Sequence, residues 1–429
     1  MTRSFSRSAL ATLIMMPAVI MAPSAAARAQ SLSTRVASAS DRSVEFSYPV
    51  RPGVCGDGRT YISTGAGNFY GSFGSGTSDQ CVAGPARVVA DLADRNVIAL
   101  RTYVGPASAD AESGVSNLGT VTAAEATDFL LSVASHADGR VGRDAIFAAL
   151  LANGGDLSAR LLDIGRDQAR PLETRRAALS GLARTDAPQL DRVGAALVQI
   201  ASNENDVQGV RTAAMSVLSR LDHGAGIQPL VQLASGNLTS WTGRESMTVL
   251  AHSGDPRARQ FLRTTAQRTD LPDEVLATAL RGLGREYVTG QDASMLRSIY
   301  PRLTGQRSQD AVLASLSELG GSDNVQWLTS IVRDDKAAPE ARRRALQYLT
   351  RAGATTSALV ALYDPINDQQ MREALIGLYS RIPDKAATDK LVWIAKNDQN
   401  LALRRRAISA LSRNGDPSIR AALQDIVER

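Results

Sequence analysis

The stretch ARRRALQYL at residues 341–349 recurs with small changes along the chain from Thr122 onward. The clearest other copies are TRRAALSGL (174–182), VRTAAMSVL (210–218) and LRRRAISAL (403–411). With weaker copies between them, the leucines that end each copy recur about every 33 residues: Leu150, Leu182, Leu218, Leu250, Leu283, Leu316, Leu349, Leu378 and Leu411. Nine copies at one period predict a solenoid of stacked repeats.

Each repeat is predicted to be a pair of helices. Shorter apolar segments such as VQWLTSIVR (325–333) lie between the quoted stretches, and their apolar residues recur at the three- and four-residue spacing of a helix. One pair cannot bury its apolar face alone, so it must stack on its neighbours. We therefore expect a mainly α fold, an α-solenoid of about nine two-helix repeats over residues 122–429. Thr122 and Glu125 are predicted to form a capping box at its start.

The repeat resembles a known family. The pattern D-x-x-x-(V/L)-R-x-x-A-x-x-A-L, with Gly-Asp-Pro between some copies, is similar to the HEAT repeat, particularly the short bacterial kind of the phycobilisome-lyase type. Before the repeats, the arrangement V-x-F-S-(Y/F)-x-x-R-P-G-V-C-G-D-G at residues 44–58 also resembles the front of exported bacterial HEAT-repeat proteins. The resemblance implies a binding scaffold and supplies no catalytic residue. Gly243, Leu276, Gln309 and Met371 stand where the repeat has arginine, so the central repeats are the irregular ones.

Five arginines occupy the family position: Arg143, Arg175, Arg211, Arg342 and Arg404. The resemblance implies a structural ladder, in which each arginine pairs with an aspartate of the preceding turn. Asp138, Asp206 and Asp398 lie five or six residues ahead of three of them. The alternative is that the runs at 342–344 and 404–406 bind phosphate or an acidic peptide. The ladder is the favoured interpretation, with the additional arginines on a solvated face.

Residues 1–29 have the organisation of a signal peptide. Arg3 and Arg7 precede an apolar run at 9–22, and residues 27–29 form an Ala-Arg-Ala cleavage pattern. The run is shorter than the ~20 residues of a membrane-spanning helix, so we expect an exported protein, periplasmic or secreted, with no membrane span. Removing these residues lowers the formal net charge from +5 to +2. That charge gives no strongly basic footprint, and no nucleic-acid partner is expected.

Residues 30–104 are predicted to form a small β-rich module, followed by a linker at 105–121. ARVVADLA and NVIALRTYV are predicted to pair as a hairpin over residues 94–96. Cys55 and Cys81 are the only cysteines, and in an exported protein they are predicted to form a disulfide. Closing that loop would stabilise the fold by about 3–4 kcal/mol.

The glycine-rich segment at 52–81 leaves two interpretations open. Tight turns within a tied loop explain its glycines. Its aromatic residues could instead bind a ligand: Tyr61, Phe69, Tyr70 and Phe73. On that alternative the β module binds carbohydrate or the cell envelope, and the solenoid is a spacer.

The sequence contains no motif for catalysis or for a cofactor. G-x-S-x-G, G-x-x-x-x-G-K-[ST] and G-x-G-x-x-G are absent. His136, His223 and His252 lie in different repeats, whereas zinc needs three or four convergent ligands. We therefore expect a non-enzymatic scaffold without cofactor or metal, whose partner is a protein or peptide. The sequence does not predict the oligomeric state.

Overall fold

The computed structural model describes residues 30–59, 63–65, 68–70, 82–106, 114–137, 139–184, 189–285 and 288–412. For residues 63–65, 68–70 and 184 it describes the backbone alone. The strands are β1 (Ser43–Tyr48), β2 (Cys55–Gly56), β3 (Ser63–Gly65), β4 (Asn68–Tyr70), β5 (Val82–Ala83), β6 (Ala86–Ala93), β7 (Asn96–Val104) and β8 (Val115–Thr120).

The helices begin with α1, a short helix of the β module, and continue as consecutive pairs. They are α1 (Leu32–Ala37), α2 (Ala123–His136), α3 (Gly139–Leu151), α4 (Ser158–Arg166), α5 (Leu172–Gly181), α6 (Leu190–Ser202), α7 (Gln208–Leu218), α8 (Ile227–Gly236), α9 (Trp241–Ala251), α10 (Pro256–Ala266), α11 (Asp273–Leu283), α12 (Gly290–Ile299), α13 (Gln306–Leu319), α14 (Ser322–Arg333), α15 (Pro339–Arg351), α16 (Thr356–Val360), α17 (Gln369–Tyr379), α18 (Lys385–Asn397) and α19 (Leu401–Leu411).

The β module is built on a four-stranded sheet with the strand order β7-β6-β1-β8. Strand β1 runs antiparallel to β6 and parallel to β8. Its alternating sequence buries Val44, Phe46 and Tyr48 on one face. The predicted hairpin is confirmed, since Ala93 pairs with Asn96 across a two-residue turn at 94–95. Both turn residues have positive φ, 49° and 66°, as a type I′ turn requires.

Part of the predicted linker is a strand of this sheet. The prediction of a linker at 105–121 was wrong for Val115–Thr120, which pairs with β1 as β8. The segment lies at the sheet edge, and none of its residues is buried. It therefore lacks the apolar alternation by which a half-buried strand is predicted from sequence. Pairing with β1 decides its conformation.

The sheet packs directly on the first helix pair. The Tyr48 hydroxyl donates a 2.6 Å hydrogen bond to the Ala148 carbonyl of α3. The Phe46 ring meets the Phe129 ring of α2 edge-on, with 5.6 Å between centroids. The backbone N–H of Arg51 donates to the carbonyl of Leu151 at 3.0 Å. The β module and the first repeat consequently share one hydrophobic core.

The predicted solenoid is confirmed. Within the described residues, helices α2 to α19 form nine consecutive pairs, and the second helix of each pair packs on the second helix of the next. The repeat leucines are all buried, including the first and the last of them, Leu150 and Leu411. Ala178, Ala214 and Ala279 are fully buried, as close helix packing requires. We call the layer formed by α5, α7, α9, α11, α13, α15, α17 and α19 the second-helix row.

Local signals in the sequence set several helix starts. The predicted capping box is present, with the Thr122 side chain accepting from the Glu125 N–H and the Glu125 carboxylate accepting from the Thr122 N–H. Asp255 caps α10, whose first residue is Pro256. None of the helices formed by the described residues has both the length and the apolar character needed to cross a bilayer.

Candidate functional site

Three of the five ladder arginines share one geometry. In Arg175, Arg211 and Arg342 the Nε–H donates to the carbonyl of the residue ten positions earlier, at 3.0, 3.0 and 3.1 Å. That carbonyl belongs to the penultimate residue of the first helix in the same pair. Helix ends leave such carbonyls without an intrahelical partner. The guanidinium therefore caps the first helix from within the second.

The guanidinium groups also reach into the next repeat. Arg175 Nη1 lies 2.8 Å from Asp206 Oδ1, and its Nη2 bonds to the other carboxylate oxygen. The side chains of this pair are only 3% and 5% exposed. Hydrogen bonding from Arg175 lowers the pKa of the Asp206 carboxyl. Arg211 likewise bonds to Thr242 and stacks on the Trp241 ring, 4.4 Å from its centroid.

The aspartate partners differ from those that the sequence predicted. Asp206 was predicted to pair with Arg211 of its own repeat, but the arginine that donates to it is Arg175 of the repeat before. Asp398 accepts from the Tyr363 hydroxyl at 2.8 Å and lies 3.8 Å from Arg372 rather than pairing with Arg404. The pairing thus links successive repeats, a relation that separation along the chain does not reveal.

The remaining ladder positions are less regular. Arg342 lies 3.1 Å from Asp335 of the preceding turn and 3.8 Å from Asp368 of the next repeat. Arg143 lies 3.5 Å from Asp144, and its predicted partner Asp138 is outside the described residues. The buried Nε of Arg404 makes no hydrogen bond to any described residue.

The central repeats replace the ladder with other contacts. At position 243 a Cβ would lie 1.9 Å from the Asn237 carbonyl oxygen, so the backbone itself fills the arginine's place. Leu276 is buried among apolar residues. Gln309 donates to the Leu303 carbonyl at 2.7 Å. In these repeats an amide, a leucine and a glycine take over a position that arginine holds elsewhere.

A buried charge cluster joins the first helices of this region. Arg259 and Arg263 of α10 hold Asp292 of α12, with donor–acceptor distances of 2.6 and 2.7 Å. Asp292 also forms a capping box with Thr289. Burial opposes ionisation of Asp292, but hydrogen bonds from Arg263, Thr289 and Arg259 outweigh it and hold the pKa of this carboxyl well below its ordinary range. Sequence reasoning missed this cluster, because its residues lie outside the repeat pattern.

Two grooves lie on the second-helix row, and each is lined by three successive second helices and the residues that follow them. The central groove, of about 580 Å³, is formed at the ends of α9, α11 and α13. Its polar lining includes His252, Arg281, Arg285 and Glu318. His252 Nε2 bonds to Arg285, and its Nδ1 contacts the Thr248 carbonyl at 2.8 Å.

The C-terminal groove, of about 620 Å³, runs across α15, α17 and α19. Its polar lining residues are Arg343, Gln347, Gln370, Glu373, Ser380, Arg381 and Arg406. Leu346, Ala374, Gly377 and Leu378 also line it. The arginines of the runs at 342–344 and 404–406 take different positions in the structure. Arg342 points inward as a ladder residue, whereas Arg343 and Arg406 line the groove. Arg381 was not predicted from sequence, because no repeat position marks it.

The predicted ligand aromatics cannot be placed. Tyr61 and Phe73 lie outside the described residues, and Phe69 and Tyr70 are described only by their backbone in β4. Cys81 is also outside them, so its pairing with Cys55 stays a prediction. No group of three or more metal-ligating side chains occurs in the part of the chain that the structure describes.

The sequence matches no family model and no curated protein. Among solved structures, human deoxyhypusine hydroxylase in complex with glycerol is similar at 16% identity and a TM-score of 0.28, with 56% of this chain and 97% of that chain covered. The complex of CpcE and CpcF of phycocyanin lyase from Nostoc has 17% identity and a TM-score of 0.27, covering 60% and 96%. The UNC-45 chaperone has 11% identity and a TM-score of 0.27, covering 67% and 42%.

Because these TM-scores are low, the fold is defined by the helix packing of this chain itself. That packing defines an α-solenoid of stacked helix pairs with a β module joined to its first repeat.

Proposed function

We propose that this protein is an exported, non-enzymatic scaffold that binds a protein or peptide along the second-helix row. The observation that carries the proposal is the position of the two grooves, which lie on the same layer of helices. Packed helices are about 8–10 Å apart, so three successive helices span roughly 16–20 Å. An extended peptide covers that length with five or six residues. Export rests on the sequence of residues 1–29.

The β module is proposed to close the N-terminal end of the solenoid. Residues 145–151 of α3 are all buried, and strands β6 and β7 pack against this helix. A terminal repeat needs such a cover, because its apolar face has no further repeat on that side. The proposed Cys55–Cys81 disulfide would tie this cover together. Backbone pairing of β2 with β5 sets Cys55 opposite Ala83, two residues beyond Cys81 in the sequence.

Site-specific photo-crosslinking of the full chain in its native extract tests the proposal. A photoreactive residue replaces Gln347 of α15 in one protein and Gln326 of α14 in another. Both side chains are exposed, but only Gln347 lies on the second-helix row. We expect a discrete protein adduct from Gln347 and none from Gln326.

A third photoreactive position at Ile98 of β7 addresses the β module, where that side chain is exposed. Adducts from position 98 alone would overturn the proposal and favour a binding role for the β module. Equal adducts from all three positions would mean non-specific contact, which also contradicts it.

A further inference from the structure

We infer that the C-terminal groove binds an acidic, extended segment of the partner protein through Arg343, Arg381 and Arg406. This inference rests on the proposed function and specifies the chemistry of the partner. It depends on three features of the groove: its unpaired positive charge, its open floor and the spacing of its arginines.

The groove carries an excess of unneutralised positive charge. Three arginines line it, and Glu373 is its one acidic lining residue among the described side chains. The guanidinium groups of Arg381 and Arg406 form no ion pair or hydrogen bond with any residue that the structure describes, and both residues are exposed. Arg343 bonds to Glu340 and donates to Gln370 Oε1 at 3.2 Å, yet its side chain remains 39% exposed.

The floor of the groove admits a polypeptide backbone. A Cβ added at Gly377 would meet no atom within 4 Å, so open space lies directly above α17. Ala374, one helical turn earlier, adds a single methyl group at the same surface. Leu346 and Leu378 supply apolar contact below. Small residues flanked by charge suit an extended chain, which lies along the floor while its side chains reach the rim.

The spacing of the arginines distinguishes a chain of carboxylates from a single small anion. Arg343 and Arg406 lie on α15 and α19, and Arg381 lies two residues beyond the end of α17. Since neighbouring helices are about 8–10 Å apart, the axes of α15 and α19 lie roughly 16–20 Å apart, and one phosphate or carboxylate covers only a small part of that length. Alternate residues of an extended peptide are about 6.6 Å apart on the same side, so successive acidic side chains can reach successive arginines. Arginine binds carboxylates through paired hydrogen bonds.

The composition of the groove disfavours a nucleic acid as its occupant. None of its described lining residues is aromatic, whereas single-stranded nucleic acids are held largely by stacking on aromatic rings. The central groove is a poorer fit for an acidic segment, since Arg285 is engaged with His252 and Glu318 contributes an opposing charge. The acidic segment is therefore assigned to the C-terminal groove alone.

Fluorescence anisotropy with the full chain tests the inference. The probe is a labelled eight-residue peptide of alternating Glu and Gly, and the control peptide has Gln in place of Glu. We expect the chain to bind the Glu peptide and not the Gln peptide. The double variant Arg381→Glu/Arg406→Glu should weaken binding at least tenfold. Gly377→Leu, which fills the floor without changing charge, should weaken it as well.

The matched control is Arg333→Glu/Arg405→Glu, which makes the same change in net charge at exposed residues outside the groove. It should alter binding less than twofold, and circular dichroism should show unchanged helix content in every variant. Equal loss in both double variants would reduce the effect to non-specific electrostatics and overturn the inference. Tighter binding of polyphosphate or single-stranded DNA with the same residue dependence would overturn it too.

The two proposals fail in different ways. If no acidic peptide binds but Gln347 still forms its adduct, the scaffold function stands and the chemistry of the groove is wrong. If the adduct is also absent, the scaffold function fails.

Discussion

Two groups of repeats hold their helices together with different chemistry. The arginine-capped repeats contain Arg175, Arg211 and Arg342, and the central repeats comprise helices α8 to α13. In the former, Arg175 and Arg342 on the second helices donate to the end of the first helix. Arg175 also bonds to Asp206 of the next repeat, and Arg342 lies 3.8 Å from Asp368 of the next repeat.

In the central repeats, Arg259 on a first helix donates to the Leu283 carbonyl, at the end of the second helix of its pair, at 3.0 Å and also bonds to Asp292 of the next repeat. An arginine still joins a helix end to an acidic residue of the next repeat, but the two helices of the pair exchange roles.

A second contrast concerns helix starts. Asp273 of α11 accepts the backbone N–H groups of Arg307 and Ser308, both at 2.9 Å, and so caps α13 of the following repeat. Burial opposes its ionisation, but the hydrogen bonds from α13 outweigh this and lower the pKa of the Asp273 carboxyl. In the central repeats, the Asp273 carboxylate at the start of α11 thus links two neighbouring repeats. Earlier in the chain, Arg175 makes the corresponding link. Both devices place a charge opposite an unpaired helix end.

The strongest test of the central repeats is Asp292→Asn. The change leaves Arg259 and Arg263 without their carboxylate, and breaking a buried ion pair costs about 3–5 kcal/mol. Urea unfolding at pH 7 measures the loss. Because the pKa of Asp292 is lowered in the fold, its contribution is complete above the ordinary aspartate pKa of about 4 and is lost as the pH falls below it.

The difference in unfolding free energy between wild type and Asp292→Asn should therefore shrink from pH 7 to pH 3. A difference that stays constant over this range would show that the carboxylate charge is not what stabilises the central repeats. Asp270→Asn provides the control, since Asp270 pairs with Arg268 at an exposed site. Its unfolding midpoint should match the wild type.

In the arginine-capped repeats the corresponding change is Arg175→Ala. It removes the cap of α4 and strands the Asp206 carboxylate, so we expect a loss of about 3 kcal/mol in the free energy of unfolding. Arg176→Ala is the matched control, because Arg176 is the next residue in the chain and its side chain is 45% exposed. That variant should stay within about 0.5 kcal/mol of the wild type. Similar losses in the two variants would contradict a structural role specific to the inward arginine.

Substitutions at two glycines, one in the central repeats and one in α17, test helix packing without any change of charge. A Cβ at Gly284 would lie 2.0 Å from the Ser315 Cβ, so Gly284→Ala forces α11 and α13 apart and should destabilise by about 1–3 kcal/mol. Gly377→Ala enters open space in the last turn of α17 and should stabilise by about 0.5–1 kcal/mol. Thermal unfolding of both variants measures the signs. The same sign in both would show that helix propensity, not close approach, governs the central packing.

The smallest expected effect is that of Gln309→Ala. Loss of the hydrogen bond to the Leu303 carbonyl should cost about 1 kcal/mol, well below the loss at Arg175. Urea unfolding of Gln309→Ala is compared with that of Gln347→Ala, which changes an exposed glutamine on the next second helix, α15. The difference between the two variants gives the contribution of this hydrogen bond. A loss as large as that of Arg175→Ala would mean that the central repeats depend on a single cap as strongly as the others do.

Much of the architecture follows from local sequence. The repeat period, the buried leucines, the capping box at Thr122 and the hairpin at 94–95 were all predictable, because each depends on residues close in the chain. The site was less predictable. The arginine runs indicated Arg343 and Arg406, but nothing marked Arg381 or the open space above Gly377. A groove across three helices depends on how the helices stack, and the pattern within one helix does not encode that.

The sequence by itself determined the class of this protein, since a 33-residue period of apolar and small residues can bury its leucines only by stacking helix pairs. Only the tertiary structure decided which partner each charge takes. Asp206 lies near Arg211 in the chain but bonds to Arg175, and Val115–Thr120 becomes a strand because β1 offers it an edge. Ion pairs and edge strands depend on proximity in space, and stacked repeats bring together groups about one period apart.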